Sequence, residues 1–263
     1  MIEHYLRPTS TQEALALMEK HAADATWFAG GSKLNAKPTQ TDKTVAISLA
    51  GLSLTTIEQK GDALHIGAMS TVQTLIDNEL TPTAIKFAGR FIYSRHVRNQ
   101  ATIAGEIASL QDESLLLPCL IALNAEVVLV DGQKVLVEDY VEQENKTLIL
   151  QVIIPDTSLA CITENVRRSA GGLSVISAAV SVAKNGETII ALEGVASGKR
   201  RGAPVRLRDV EHLGLTGEAL EKAVADAIIP QADLRGSVEY KRYIAGVLVT
   251  DLLAECQRLA GRA

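Results

Sequence analysis

Two dipeptides constrain this chain more than any other feature. Asp131-Gly132 and Asn185-Gly186 each lie between two apolar, strand-like runs. Such pairs accept the left-handed backbone of a two-residue hairpin. Glu126–Val130 is therefore expected to pair with Lys134–Val137, and Val175–Ala183 with Glu187–Leu192. Further strands are expected at Thr26–Ala29, Thr44–Leu49, Ala63–Ala68 and Leu148–Ile154, the last ending at Pro155. Helical signals surround them. Ser10-Thr11-Gln12-Glu13 is a capping box, followed by Ala14, Leu17, Met18 and His21 on one face. Val72–Asn78 and Pro82–Ile92 read as helices, with Pro82 in a first turn. Near the end, Ala219, Leu220, Ala223, Val224, Ala227 and Ile228 share one helical face, and Tyr240, Ile244, Val247, Leu248 and Leu252 another. The class is α+β, with a mixed domain at 1–157, itself divided near 57–62, and a smaller sheet-plus-helix domain at 158–263.

Composition removes several functions. The longest unbroken apolar stretch, Leu115–Leu123, is about half of what a membrane-spanning helix needs. Lys plus Arg is 26 against 31 Asp plus Glu, a net charge of −5, which disfavours bulk nucleic-acid binding. Aromatics at 3% leave too few rings for a base-stacking platform. Cys119, Cys161 and Cys256 are widely spaced, so neither a disulfide framework nor an iron–sulfur ligand set is expected, and a reducing, cytoplasmic setting fits. The N-terminus carries no secretory-signal pattern. None of His4, His21, His65, His96 and His212 pairs at metal-ligand spacing, and no metal site is expected.

Two stretches offer ligand chemistry. Ala29-Gly30-Gly31-Ser32-Lys33-Leu34-Asn35 follows a strand, and its glycines permit close approach and positive φ. Successive amides in such a turn form a nest for an anion, and a phosphate is the natural guest. The pattern is neither G-x-G-x-x-G nor a Walker loop. A tight turn without a ligand satisfies the same residues. The second stretch, Val97 to Ile107, combines small Ala101, Ala104 and Gly105 with the donors Asn99 and Thr102. It reads as a second ligand wall or an ordinary loop.

Taken together, the two resemble the FAD-binding subunit of molybdenum-containing hydroxylases, the xanthine dehydrogenase and carbon monoxide dehydrogenase family. That family's usual patterns are Ala-Gly-Gly-Thr-Asp-Leu and Ile-Arg-Asn-x-Ala-Thr-Ile-Gly-Gly-Asn. The likeness extends to Arg7-Pro8-Thr9-Ser10, to Ser177-Ala178-Ala179-Val180 and to Gly236-Ser237 with Tyr240-Lys241-Arg242. Among such subunits the chain is most similar to the short ones of enterobacterial xanthine dehydrogenase-like hydroxylases, some described as selenate reductase components. The resemblance implies a two-subdomain FAD-binding fold of the vanillyl-alcohol-oxidase (PCMH) type, then a small α/β domain. It implies that Gly30, Gly31 and Ser32, with Ala29, Lys33, Leu34 and Asn35 beside them, hold the FAD pyrophosphate. It places Thr102, Ala104 and Gly105 along the ribityl and diphosphate from the other side, with Ile92 and Ile103 as apolar walls by the flavin. It further implies an oxidoreductase subunit that binds flavin noncovalently. Such a subunit passes electrons from iron–sulfur clusters on a partner to an acceptor such as NAD, while hydroxylation occurs at molybdenum on another chain.

The sequence departs from the family at four places. Lys33 replaces Asp, Ala104 replaces Gly, Glu106 replaces Asn and Leu115 replaces an Asp that meets the adenosine end. Asp112 or Glu113 is expected to substitute for the last after a local shift. Two unit charges about 4 Å apart repel by roughly 4 kcal/mol at an effective dielectric of 20, so Glu106 must turn away from the phosphates. The departures also motivate an alternative, a scaffold subunit with weakened or lost FAD binding. A stand-alone flavoprotein lacks a general base beside the motif. Three other features are weighed against plain surface roles. These are His96 beside the second motif, the basic cluster Lys199-Arg200-Arg201 with Arg206 and Arg208, and Arg167-Arg168-Ser169-Ala170-Gly171-Gly172.

Overall fold

A computed structural model describes residues 1–36, 41–92, 94–110, 114–144, 147–169, 172–195 and 203–261. Strand β1 (His4–Leu6), helix α1 (Thr11–His21) and strands β2 (Ala25–Phe28) and β3 (Val45–Ser48) open the chain. The strands form a parallel sheet in the order β1-β3-β2. The Ser10 hydroxyl caps α1 by accepting the Glu13 amide at 3.2 Å. Glu13 reaches back to the Thr9 amide rather than that of Ser10. Ala14, Leu17 and Met18 then pack on Val45 and Ile47, a small core of its own.

The next unit runs through β4 (Ile57–Lys60), β5 (Ala63–Gly67), α2 (Val72–Asp77), α3 (Thr83–Arg90), α4 (Arg95–Gln100), α5 (Ile103–Ser109), α6 (Leu116–Ala122), β6 (Glu126–Leu129), β7 (Lys134–Leu136), α7 (Val137–Glu142) and β8 (Ile149–Ile154). Its antiparallel sheet has the order β4-β5-β8-β6-β7. The last strand in sequence thus lies in the middle, where the Leu150 carbonyl accepts the Ala68 amide and that of Leu148 accepts the Val130 amide. All of α6 is buried, including Pro118, whose missing donor matters little in a first helical turn. Pro82 occupies the cap position before α3 rather than its first turn.

The small-residue stretch after Asn99 is helical, not a loop. Asn99 lies within α4, and Thr102 starts α5 by accepting the Gly105 amide at 3.1 Å.

The remaining elements are β9 (Ala160–Arg167), β10 (Ser174–Val182), β11 (Thr188–Glu193), β12 (Val205–Arg206), α8 (Arg208–Glu211), α9 (Gly217–Ala227) and α10 (Val238–Ala260), with sheet order β12-β11-β10-β9. Both hairpin glycines adopt the left-handed backbone their dipeptides demand, Gly132 at φ 85° and Gly186 at φ 87°. Every residue of β10 is buried, because α10 covers one face and α6 the other. The Ser181 hydroxyl accordingly donates to the Ala122 carbonyl at 2.5 Å. The buried face of α10 is rotated from the expected one. It carries Lys241, Ala245, Leu248, Val249, Leu252, Leu253 and Cys256, while Tyr240 is exposed. In α9, Leu220 and Val224 are buried, but Ala219 and Ala227 are not. Among the described residues, no helix is long and apolar enough to cross a membrane.

Candidate cofactor site

The two stretches distant in sequence meet. Gly30 lies so close to the α4 terminus that a Cβ there would collide with the Gln100 carbonyl oxygen. A Cβ on Gly105 would stand 3.9 Å from that of Ala29. Gly31 takes φ 74°, and a Cβ on it would strike the Phe28 ring. The turn closes by Asn35 N–H to the Gly31 carbonyl at 2.9 Å and Ala36 N–H to that of Lys33 at 3.2 Å. Among the described residues, the amides of Gly31, Ser32 and Lys33 have no protein acceptor. Such a run of donors is what an anion nest consists of.

A cavity of about 710 Å³ opens between the bends, within the size range of small-molecule sites. Ala29, Gly30, Gly31, Ser32, Lys33 and Leu34 line one side, and Thr102, Ala104 and Gly105 the other. Asn35, Ile92 and Ile103 are not part of the lining. The Asn35 side chain lies beside Gly31. Ile103 is fully buried in the main core. Ile92 packs on that core just past α3, its carbonyl accepting the Arg98 guanidinium at 2.7 Å. Arg98 also donates to Gln73 Oε1 at 2.9 Å, so it ties α2, α4 and the Ile92 turn together. Arg98→Leu is therefore expected to destabilise the chain by about 2 kcal/mol, read from urea unfolding, because charge-assisted bonds are lost together.

Several lining residues carry no local sequence signal. Trp27, Leu49, Met69, Tyr140, Thr147, Leu148 and Ile149 reach the cavity through sheet topology. The Tyr140 hydroxyl donates to the Thr147 carbonyl at 2.9 Å, and burial raises its pKa. None of the five histidines is in the lining, and His96 is exposed on α4.

The charges at the site organise around one pair. Lys33 Nζ is 3.7 Å from Glu106 Oε1. Burial pushes the Glu106 carboxyl up, and the Lys33 ammonium opposes it. Lys33 lines the cavity and Glu106 does not, so the carboxylate is turned away as the phosphate argument requires. The Lys43 ammonium, also in the lining, donates to the Ala23 carbonyl at 2.7 Å.

The remaining expectations fall elsewhere. Leu115 is buried core, and Asp112 and Glu113 lie outside the described residues. Arg167 stacks over the Phe91 ring at 5.0 Å, and Arg168 donates to the Leu234 carbonyl at 2.8 Å. Ala170 and Gly171 are outside the described residues, as are Lys199, Arg200 and Arg201. Arg206 and Arg208 are not free for a phosphate. They pair with Glu138, and Arg206 also with Glu211.

The cavity thus offers unpaired amides and a lysine beside apolar walls from Leu34, Leu49, Leu148 and Ile149. Those features suit a long ligand with a charged centre and ring-bearing ends, as a dinucleotide has. Comparison with known proteins agrees. Residues 1–157 match the family described as FAD binding domain in molybdopterin dehydrogenase. The chain is 51% identical to the uncharacterized protein YgfM of Escherichia coli K12 over 263 residues, all of both chains. It is 30% identical over 276 residues, 93% of each chain, to the carbon monoxide dehydrogenase medium chain of Hydrogenophaga pseudoflava. A solved carbon monoxide dehydrogenase from that organism, lacking the Mo-pyranopterin moiety, superposes with a TM-score of 0.87 at 25% identity, covering 98% of both chains. The chain belongs to the FAD-binding family of molybdopterin dehydrogenases, and FAD is the cofactor this membership assigns.

Proposed function

We propose that this chain is the FAD-binding electron-transfer subunit of a molybdenum hydroxylase complex of the xanthine dehydrogenase-like kind. The observation that carries the reading is the convergence of the bends at Gly30 and Gly105 on one cavity. Residues 1–157 are the FAD-binding domain and 158–263 a domain that packs against it. The amides of Gly31, Ser32 and Lys33 would hold the diphosphate. Thr102 Oγ1 accepts the Gly105 amide, so its own proton remains to be donated to the cofactor from the opposite wall. Ala104 and Gly105 keep that wall low enough for a chain of ribityl carbons. Leu148 and Ile149 exclude water from the ring-bearing end. FAD held there would supply one- and two-electron redox chemistry, the kind that links iron–sulfur clusters on a partner to an acceptor such as NAD⁺. The clusters and the molybdenum centre belong to other polypeptides. Cys119, Cys161 and Cys256 are free thiols, which suits a reducing cytoplasm.

The scaffold alternative rests on Lys33, Ala104, Glu106 and Leu115. The pairing of Lys33 with Glu106 supports retained binding for those two, since it leaves no uncompensated charge in the empty seat. The test is direct. Chain purified under its native partners' expression should carry a flavin absorption spectrum and bring down iron–sulfur and molybdenum polypeptides. A colourless chain that takes up no FAD on reconstitution overturns the reading in favour of the scaffold. Flavin-dependent turnover by the isolated chain, with no partner retained, overturns it in favour of a stand-alone flavoprotein.

A further inference from the structure

Lys33 and Glu106 form an ion pair at the edge of the cofactor cavity, the first lining it and the second behind it. We propose that Glu106 is a positioning residue for the cofactor: it holds the Lys33 ammonium beside the diphosphate seat while the cavity is empty and yields it to the diphosphate on binding, taking up one proton from solvent as it does so. The inference rests on the reading that the diphosphate lies between the two bends.

The geometry supports each part. Lys33 is 35% exposed and lines the cavity, while Glu106 is 4% exposed and lies behind it on the first turn of α5. Their 3.7 Å separation is an ion pair without a direct hydrogen bond, a contact that a diphosphate oxygen at hydrogen-bonding distance outcompetes. Once Lys33 turns away, Glu106 is a buried carboxylate without a counter-charge, and burial favours its neutral form.

The neighbours of α5 do not replace Lys33. The elements packed on it are β8, α6 and α7. Strand β8 has no ionisable residue, and α6 has only Cys119. Helix α7 carries Glu138, Asp139, Tyr140 and Glu142. Glu138 is held by Arg206 and Arg208, and the Tyr140 hydroxyl by the Thr147 carbonyl. Asp139 is exposed, and Glu142 adds a further acid, so neither supplies a cation. Among the described residues, Lys33 is the charged group that acts on Glu106.

The direction with pH follows from the proton count. The bound state holds one proton more than the empty state, so affinity rises as pH falls. The change lies above the usual carboxylate range, because burial has already raised Glu106 in the empty site. Among the described residues no histidine is in the lining, and its ionisable side chains besides Lys33 are Asp42, Lys43 and Tyr140.

The sole tryptophan, Trp27, lines the cavity and provides the probe, since bound FAD quenches it. FAD dissociation constants would be measured by Trp27 quenching from about pH 5 to about pH 9, the span between ordinary carboxylate and lysine values. Wild type is expected to weaken steadily with rising pH. Glu106→Gln, with no proton to take up, should lose that slope and bind about tenfold tighter at the alkaline end, one pKa unit's worth of coupling. Lys33→Arg should keep the slope, and Lys33→Ala with Glu106→Gln should be flat and weak. An unchanged slope in Glu106→Gln, or weaker binding by it at alkaline pH, overturns the proposal. Gly31→Val separates this outcome from failure of the underlying reading. If Gly31→Val binds as wild type does, or wild type does not quench, the diphosphate does not lie between the bends and both ideas fall together.

Discussion

Gly30→Val is expected to cost the chain its flavin and part of its stability in one step. Gly30 has no room for a side chain, because the Gln100 carbonyl oxygen occupies the place a Cβ would take. A side chain there must push the first bend away from the end of α4, and α5 begins just beyond that point. Inserting carbons into a packed position typically costs about 1–3 kcal/mol, which thermal unfolding will read as a lowered midpoint. The binding loss is larger. The amides of Gly31, Ser32 and Lys33 would no longer face Thr102 and Gly105 across one cavity, so the cofactor would keep one wall or the other. Forfeiting two amide bonds to a charged group, at about 1.5–3 kcal/mol each, weakens FAD by at least about a hundredfold. Trp27 quenching measures this directly. Gly132→Ala is the matched control. Gly132 has positive φ, unlike Gly30, but a Cβ on it meets nothing within 4 Å. It should lose about 1 kcal/mol from backbone strain and bind FAD normally. If both variants bind alike, the contact between the bends does not shape the site.

The difference between these glycines also shows what local sequence can reveal. Asp131-Gly132 and Asn185-Gly186 specify hairpins through their own backbone preferences, so their neighbours could be paired without knowing the rest of the fold. Ser10 and Glu13 mark the start of α1 in the same local way. The two bends were recognisable as ligand-binding stretches for a similar reason, since glycine and small residues concentrate there. That Gly30 touches Gln100 is a long-range fact, and no dipeptide encodes it. Ile149 is hidden for the same cause. It reaches the cavity because β8, late in sequence, inserts between β5 and β6.

Other differences come from side chains that act against type. The face of α10 was expected one step round the helix, because periodicity counts apolar residues and Lys241 is buried. Its ammonium donates to the Gln231 carbonyl at 2.8 Å and pairs with Asp233 at 2.9 Å. Helix α5 was read as a loop because Ala104 and Gly105 look like chain punctuation. Tertiary packing of Ile103 and Ile107 into the main core overrides their weak pattern. The same packing explains why Ile92 and Ile103 leave the cavity wall. An apolar side chain beside a binding motif is claimed by the core whenever the core lies on its side of the backbone.

Removing Arg206 is the substitution that tests how the C-terminal sheet is fastened to helix α7. Arg206, on the edge strand β12, donates from Nε to both carboxylate oxygens of Glu211 at 3.0 Å. Its Nη1 reaches Glu138 on α7 at 3.4 Å, and Arg208 pairs with the same carboxylate. The Glu211 side chain is 3% exposed and also accepts the Ile190 amide, so it cannot turn to water without breaking the sheet edge. Arg206→Met keeps much of the apolar stem but leaves Glu138 to Arg208 and takes away the ion-pair partner of Glu211. Truncating one partner of a buried pair costs about 3–5 kcal/mol, and the partial exposure of Arg206 places the expected loss near about 3 kcal/mol. Urea unfolding should show the midpoint shift with an unchanged slope. A second substitution distinguishes a stranded carboxylate from lost packing. Glu211→Gln in the Arg206→Met background removes the charge while keeping an acceptor for the Ile190 amide, and should recover part of the deficit. No recovery would mean that Arg206 serves by its carbon stem alone, and a loss below about 0.5 kcal/mol would mean that the C-terminal sheet does not depend on this ionic clasp.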